Sequence, residues 1–127
     1  IMLVEDDAML RKAITRALKK HFGAEVVVAE DGQHALAMLE DEPTDLIVTD
    51  YFMPNLNGRE LILELRKSGR TTPIVALTAA TIGQEQEELK DAGADVILPK
   101  PPDVHLMAQA VLGFEAAGRL WKRRESA

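Results

Sequence analysis

Five short apolar runs recur along the chain, and a stretch with helical spacing follows each one. They are Ile1-Met2-Leu3-Val4, Val26-Val27-Val28, Leu46-Ile47-Val48, Ile74-Val75-Ala76-Leu77 and Val96-Ile97-Leu98. Near-continuous apolar runs of this length mark strands buried on both faces, the pattern of a parallel sheet covered by helices. Parallel neighbours need a helix-length crossover, and that crossover is right-handed. Alternating βα units therefore imply an α/β fold: an open five-stranded parallel sheet with helices on both faces. The order 2-1-3-4-5 suits five such units and places a switch point between the first and third strands. Strands 1, 3, 4 and 5 are then consecutive neighbours.

The segments between the runs carry helix signals. Asp7 is the expected cap of a first helix with Leu10, Ala13, Ile14, Ala17, Leu18 and Phe22 inward, and Gly23 stops it. The second strand is expected over Glu25 to Ala29, and Asp31-Gly32 opens a helix with Ala35, Leu36, Met38 and Leu39 inward. Pro43 breaks that helix, and the third strand is expected from Asp45 to Thr49. Met53 to Gly58 is rich in turn residues, and a helix with Leu61, Ile62 and Leu65 inward follows. Pro73 opens the fourth strand. The fourth helix, about Ile82 to Ala92, reads Gln84-Glu85-Gln86-Glu87-Glu88 in its middle, so only Ile82, Leu89 and Ala92 can form an apolar stripe. A helix with so thin an inner face is weakly held and shifts cheaply. Asp103 caps the last helix, with Val104, Met107, Val111 and Phe114 inward.

Bulk composition narrows the setting. At 127 residues the chain is one domain, and domains near this size bury roughly two-thirds of their unfolded surface without disulfides. No apolar stretch has membrane-spanning length, and no signal segment is evident. The absence of cysteine excludes disulfides and zinc-thiolate sites and fits the cytoplasm. A net charge of −6 argues against nucleic-acid binding by this domain alone. The basic cluster Arg119, Lys122, Arg123 and Arg124 is read as a solvated helix end or linker stub over residues 119–127, after a main domain over 1–118. An opening strand that starts at Ile1 with no lead-in is expected of a fragment or of a chain lacking its first residues.

Four polar residues stand at the downstream ends of apolar runs: Asp6, Asp50, Thr78 and Lys100. Ligands of open α/β sheets bind outside the carboxyl ends of the strands, so these residues are expected to converge. Adjacent carboxylates at Glu5, Asp6 and Asp50 repel one another unless a cation neutralises them. Mg²⁺ favours one or two carboxylates plus water and phosphate oxygens. Asp50 is the candidate nucleophile, since a carboxylate can attack phosphorus to give an aspartyl phosphate. Thr78 and Lys100 offer a hydroxyl and an ammonium to phosphoryl oxygens. His21, His34 and His105 have no spacing that makes a metal or catalytic set, and are read as surface residues.

With these residues in hand, the chain resembles a receiver domain of two-component response regulators or hybrid histidine kinases, a flavodoxin-like (βα)5 domain. The matching elements run from Ile1 to about Phe114. They are Glu5-Asp6, Asp50 in Asp50-Tyr51-Phe52-Met53-Pro54-Asn55-Leu56-Asn57-Gly58, Leu77-Thr78-Ala79, Gly93-Ala94 and Lys100-Pro101. The resemblance implies that Asp50 takes a phosphoryl group from a phosphohistidine on a histidine kinase or phosphotransfer protein. It implies Mg²⁺ held by Asp6, Asp50 and the backbone carbonyl of Phe52, with Glu5 assisting through water. Thr78 would shift toward the phosphoryl group, and the surface of the fourth helix, fifth strand and fifth helix would be read out, with a homodimer through that face as one possibility. No enzyme activity is implied beyond the domain's own phosphorylation and dephosphorylation, and no membrane contact by the domain itself.

Departures from the family pattern carry expectations too. Ile97 stands where the family often has an aromatic residue that moves with the threonine. Phe52 and Ala80, two residues beyond Asp50 and Thr78, offer no side-chain hydrogen bond to an attacking water, which predicts a long-lived aspartyl phosphate. The alternatives are a degenerate receiver serving only as a protein-interaction module and a phosphatase working through an aspartyl phosphate. The second expects an acid where Phe52 stands. A nucleotide binder would need a glycine-rich phosphate loop, which is absent.

Overall fold

The computed structural model describes residues 1–41, 44–51, 53, 55–79, 83–100 and 102–118. Strands and helices alternate: β1 (Met2–Val4), α1 (Ala8–Phe22), β2 (Val27–Ala29), α2 (Gly32–Leu39), β3 (Ile47–Asp50), α3 (Gly58–Lys67), β4 (Ile74–Thr78), α4 (Gln84–Ala92), β5 (Val96–Pro99) and α5 (Val104–Ala116). The strands form one parallel sheet in the order β2-β1-β3-β4-β5. The expected architecture is the one found.

Side chains from the two sheet faces build two separate cores. One joins Ala35 and Leu39 of α2, Leu61, Ile62 and Leu65 of α3, and Leu89 and Ala92 of α4 to Met2, Val4, Ile47, Ile74 and Ala76. The other joins Ile14 and Leu18 of α1 and Met107, Val111 and Phe114 of α5 to Leu3, Val48, Val75, Leu77 and Leu98. Alternation along each strand sends successive residues to opposite cores.

Local chemistry sets the helix ends. Asp7 caps α1, its Oδ1 accepting from the amides of Met9 and Leu10 at 2.9 and 3.0 Å, and Gly23 ends it in the left-handed region at φ 59°. Asn57 and Glu60 form a reciprocal capping box on α3, and Asp103 caps α5. Helix α4 has no side-chain cap at Gly83, and its buried residues are Leu89 and Ala92 alone. That is the thin inner face expected, although the helix begins at Gln84; Ile82 lies outside the described residues, as does Pro43.

Some boundaries differ. β2 is shorter than expected, and β3 runs one residue further, through Asp50, because pairing with β4 continues to Asp50 opposite Leu77. Ala13 is exposed rather than inward: the buried stripe of α1 narrows to Ile14 and Leu18, flanked by half-buried Leu10, Ala17 and Phe22. The three histidines are all exposed. Among the described residues no helix is long and apolar enough to cross a membrane.

Candidate functional site

Register brings the acidic residues together. Val4 pairs with Thr49 across β1 and β3, so the next residues, Glu5 and Asp50, meet at the same rim. The amide of Lys100 donates to the carbonyl of Thr78 at 3.0 Å, which sets Lys100 beside the end of β4. Carboxylate oxygens of Glu5, Asp6 and Asp50 lie within 4.8 Å of one another. Glu5 and Asp50 are buried, and Asp6 is exposed at the mouth.

Lys100 closes the cluster. Its ammonium donates to Asp50 Oδ2 at 2.6 Å and reaches Glu5 Oε1 at 3.4 Å. Asp50 Oδ1 accepts from the amide of Tyr51 at 2.8 Å. Glu5 Oε1 accepts from the amide of Asp7 at 3.2 Å, whereas Glu5 Oε2 is buried without a hydrogen-bond partner among the described residues. The loop is also pinned from α1, where Arg11 donates to the Glu5 carbonyl at 3.0 Å.

These contacts set the ionisation of the site. Burial first, and the charge of Asp50 second, push the Glu5 carboxyl up to about 7 from its ordinary 4.5, against the Asp7 amide and Lys100. Burial acts to lower the Lys100 ammonium, but its hydrogen bond and charge interaction with Asp50, then Glu5, hold it above its ordinary value. One ammonium against three carboxylates leaves excess negative charge when all are ionised. The orphaned Glu5 oxygen, the clustered carboxylates and that excess fit a small divalent cation with oxygen ligands. The donor set contains neither sulfur nor imidazole, which disfavours the softer metals.

The backbone beneath the phosphoacceptor candidate is tightly held. Gly58 donates to the carbonyl of Tyr51 at 2.8 Å, and a Cβ at Gly58 would collide with the backbone oxygen of Asp50. Only glycine allows α3 to start so close to β3. This gives the loop motif ending at Gly58 a steric reason.

Of the residues expected at the site, Asp6, Asp50, Glu5 and Lys100 converge. Thr78 closes the neighbouring strand, with its hydroxyl donating to Glu85 Oε2 of α4 at 3.1 Å. Phe52, the expected carbonyl ligand, lies outside the described residues. Sequence reading missed two polar ties to α4, from Thr78 to Glu85 and from the Tyr51 hydroxyl to Glu88 Oε2 at 3.0 Å. The three-residue spacing of Glu85 and Glu88 puts both on one helical face, a signal that a search for apolar stripes passes over.

A parallel five-strand sheet in this order, with acids and a lysine at its carboxyl rim, defines a signalling fold of the receiver class. The chain matches the response regulator receiver domain over residues 1–112 and belongs to that family. Response regulator MprA of Mycolicibacterium vanbaalenii is 40% identical over 101 residues, which are 80% of this chain and 43% of the relative. The protein of the same name from Mycobacterium avium is 41% identical over 101 residues, 80% of this chain and 44% of that one. The chain thus spans less than half the length of the curated relatives it matches. Among solved structures, the receiver domain of Francisella response regulator 1452 superposes with a TM-score of 0.83 at 28% identity, covering 91% of this chain and 96% of that one. The receiver domain of the histidine kinase CKI1 from Arabidopsis thaliana, complexed with Mg²⁺ and BeF₃⁻, does so at 0.80 and 29% identity, covering 91% and 88%.

Proposed function

We propose that Asp50 accepts a phosphoryl group from the phosphohistidine of a histidine kinase or phosphotransfer protein, with Mg²⁺ as cofactor. An Asp50 carboxylate oxygen forms the new P–O bond, the P–N bond to the donor imidazole breaks, and the imidazole nitrogen keeps the electron pair. Asp6 and Asp50, with the Phe52 carbonyl by family resemblance, would hold the ion, and Glu5 would assist through water. When bound, Mg²⁺ neutralises charge shared between the carboxylates and the phosphoryl oxygens. Lys100 pairs with Asp50 beforehand and with a phosphoryl oxygen afterwards, and Thr78 donates its hydroxyl to another. The observation that carries this reading is the 2.6 Å contact from Lys100 to Asp50 inside a cluster of three carboxylates. The Mg²⁺ and BeF₃⁻ bound by the similar CKI1 receiver support it.

The wider reading follows. Residues 1–118 form the phosphoacceptor unit, whereas 119–127, read from the sequence as a basic helix end or linker stub, lie outside the described residues. The domain works in the cytoplasm and catalyses only its own phosphorylation and dephosphorylation. Its signalling surface is α4, β5 and α5, through which a homodimer would form, and it touches neither nucleic acid nor membrane by itself. A receiver serving only as an interaction module has no need of a half-buried lysine paired to a buried Asp50. Intact mass after incubation with Mg²⁺ and a small phosphodonor tests the reading. One phosphoryl group is expected, absent in Asp50→Asn and absent when the divalent ion is chelated. Labelling that persists in Asp50→Asn would overturn the assignment.

A further inference from the structure

Among the described residues, side-chain hydrogen bonds from Tyr51 and Thr78 join α4 to the rim of the sheet, and they differ in what phosphorylation does to them. Glu88 accepts from the Tyr51 hydroxyl, and Glu85 accepts from the Thr78 hydroxyl. Tyr51 has no expected part in binding the phosphoryl group. Thr78 does, and a threonine hydroxyl carries a single proton. That proton can go to Glu85 or to a phosphoryl oxygen on Asp50, never to both.

The position of this bond in α4 gives it leverage. The helix has no side-chain cap at its start, and its buried residues, Leu89 and Ala92, lie in its second half. Glu85 and Glu88 add polar ties from the sheet rim to the part of the helix that precedes these buried residues. Ile97, half-buried against the same core, is apolar and supplies no alternative polar link from the site.

We propose that Glu85 is a positioning residue for phosphoryl binding: in the unmodified domain it holds the Thr78 hydroxyl on α4, and loading of Asp50 must break that bond and free the start of the helix. The proposal rests on the roles given above to Asp50 and Thr78. By reciprocity, whatever work the phosphoryl group does on α4 is subtracted from its own affinity. Removing the acceptor then tightens binding of a phosphoryl mimic.

The test measures beryllofluoride affinity at saturating Mg²⁺ by NMR titration of the full chain. Glu85→Ala is expected to bind about fivefold more tightly, the size of one net hydrogen bond. Glu85→Gln keeps an acceptor oxygen and is expected to stay within about twofold of the parent, which separates a hydrogen bond from a charge effect. Glu87→Ala removes the same charge from an exposed position on α4 and is also expected to match the parent. In a Thr78→Val background, Glu85→Ala is expected to change nothing, and Mg²⁺ affinity without beryllofluoride is expected to be the same in all variants. Parent-like affinity in Glu85→Ala, or an equal gain in Glu87→Ala, would overturn the proposal while leaving the site assignment standing. A parent that binds no beryllofluoride would overturn both.

Discussion

With its carboxyl enclosed and Asp50 alongside, Glu5 keeps its proton up to about 7 instead of the ordinary 4.5. Between those values the folded chain holds a proton that the unfolded chain has released, so stability falls as pH rises through that window. Below about 4.5 the penalty is absent, and above about 7 it is complete. Glu5→Gln is therefore expected to leave the melting temperature unchanged near pH 4 and to raise it at pH 8 without divalent ions. A relief of 1–2 kcal/mol would give roughly 3–6 °C for a domain of this size. Thermal unfolding followed by circular dichroism reads this directly, and parallel pH curves for the two proteins would refute it. A second residue-scale expectation concerns hydrolysis. Phe52 and Ala80 offer an attacking water no side-chain partner, so Phe52→Asn should speed loss of the phosphoryl group by roughly tenfold, about 1.4 kcal/mol of barrier. Decay of the intact-mass signal after donor removal measures it, and an unchanged half-life would contradict it.

At the scale of elements, Arg66 does what no apolar contact does. Its guanidinium donates to the carbonyls of Gly93, Arg70 and Thr72 and to Asp95 Oδ2 at 2.9 Å, joining the end of α3 to the α4–β5 turn. Asp95 Oδ2 in turn accepts from the amide of Ile74, where β4 begins. A planar fork is needed to meet these acceptors at once, and lysine has none. Arg66→Lys is expected to cost about 2 kcal/mol, since hydrogen bonds from charged groups are each worth roughly 1.5–3 kcal/mol and some are retained. Urea unfolding should show a lower midpoint with the same slope, while Asp50 still takes up one phosphoryl group. A midpoint indistinguishable from the parent would mean the fork is idle.

Across the whole molecule, what could be read in the chain and what could not divide along a physical line. Strand runs such as Val96-Ile97-Leu98 and helix caps such as Asp7 and Asp103 are local, so each announces itself within a few residues. The acids and Lys100 were legible because a parallel sheet in this order forces strand ends to one rim. Arg66, Arg11 and the glutamates of α4 were not, since their partners lie across the fold or on backbone carbonyls and leave no periodic trace. The shortfall at Ala13 has a similar source: spacing names a face of α1, but only the packed neighbour says how wide the covered stripe is.

The sheet also separates the helices into two groups, three against two, each packed in its own core among the described residues. It acts as a partition wall. Helix α4 packs in one compartment, and α1 and α5 pack in the other. A partner that touches both α4 and α5 across the β5 edge would therefore bear on both compartments at once.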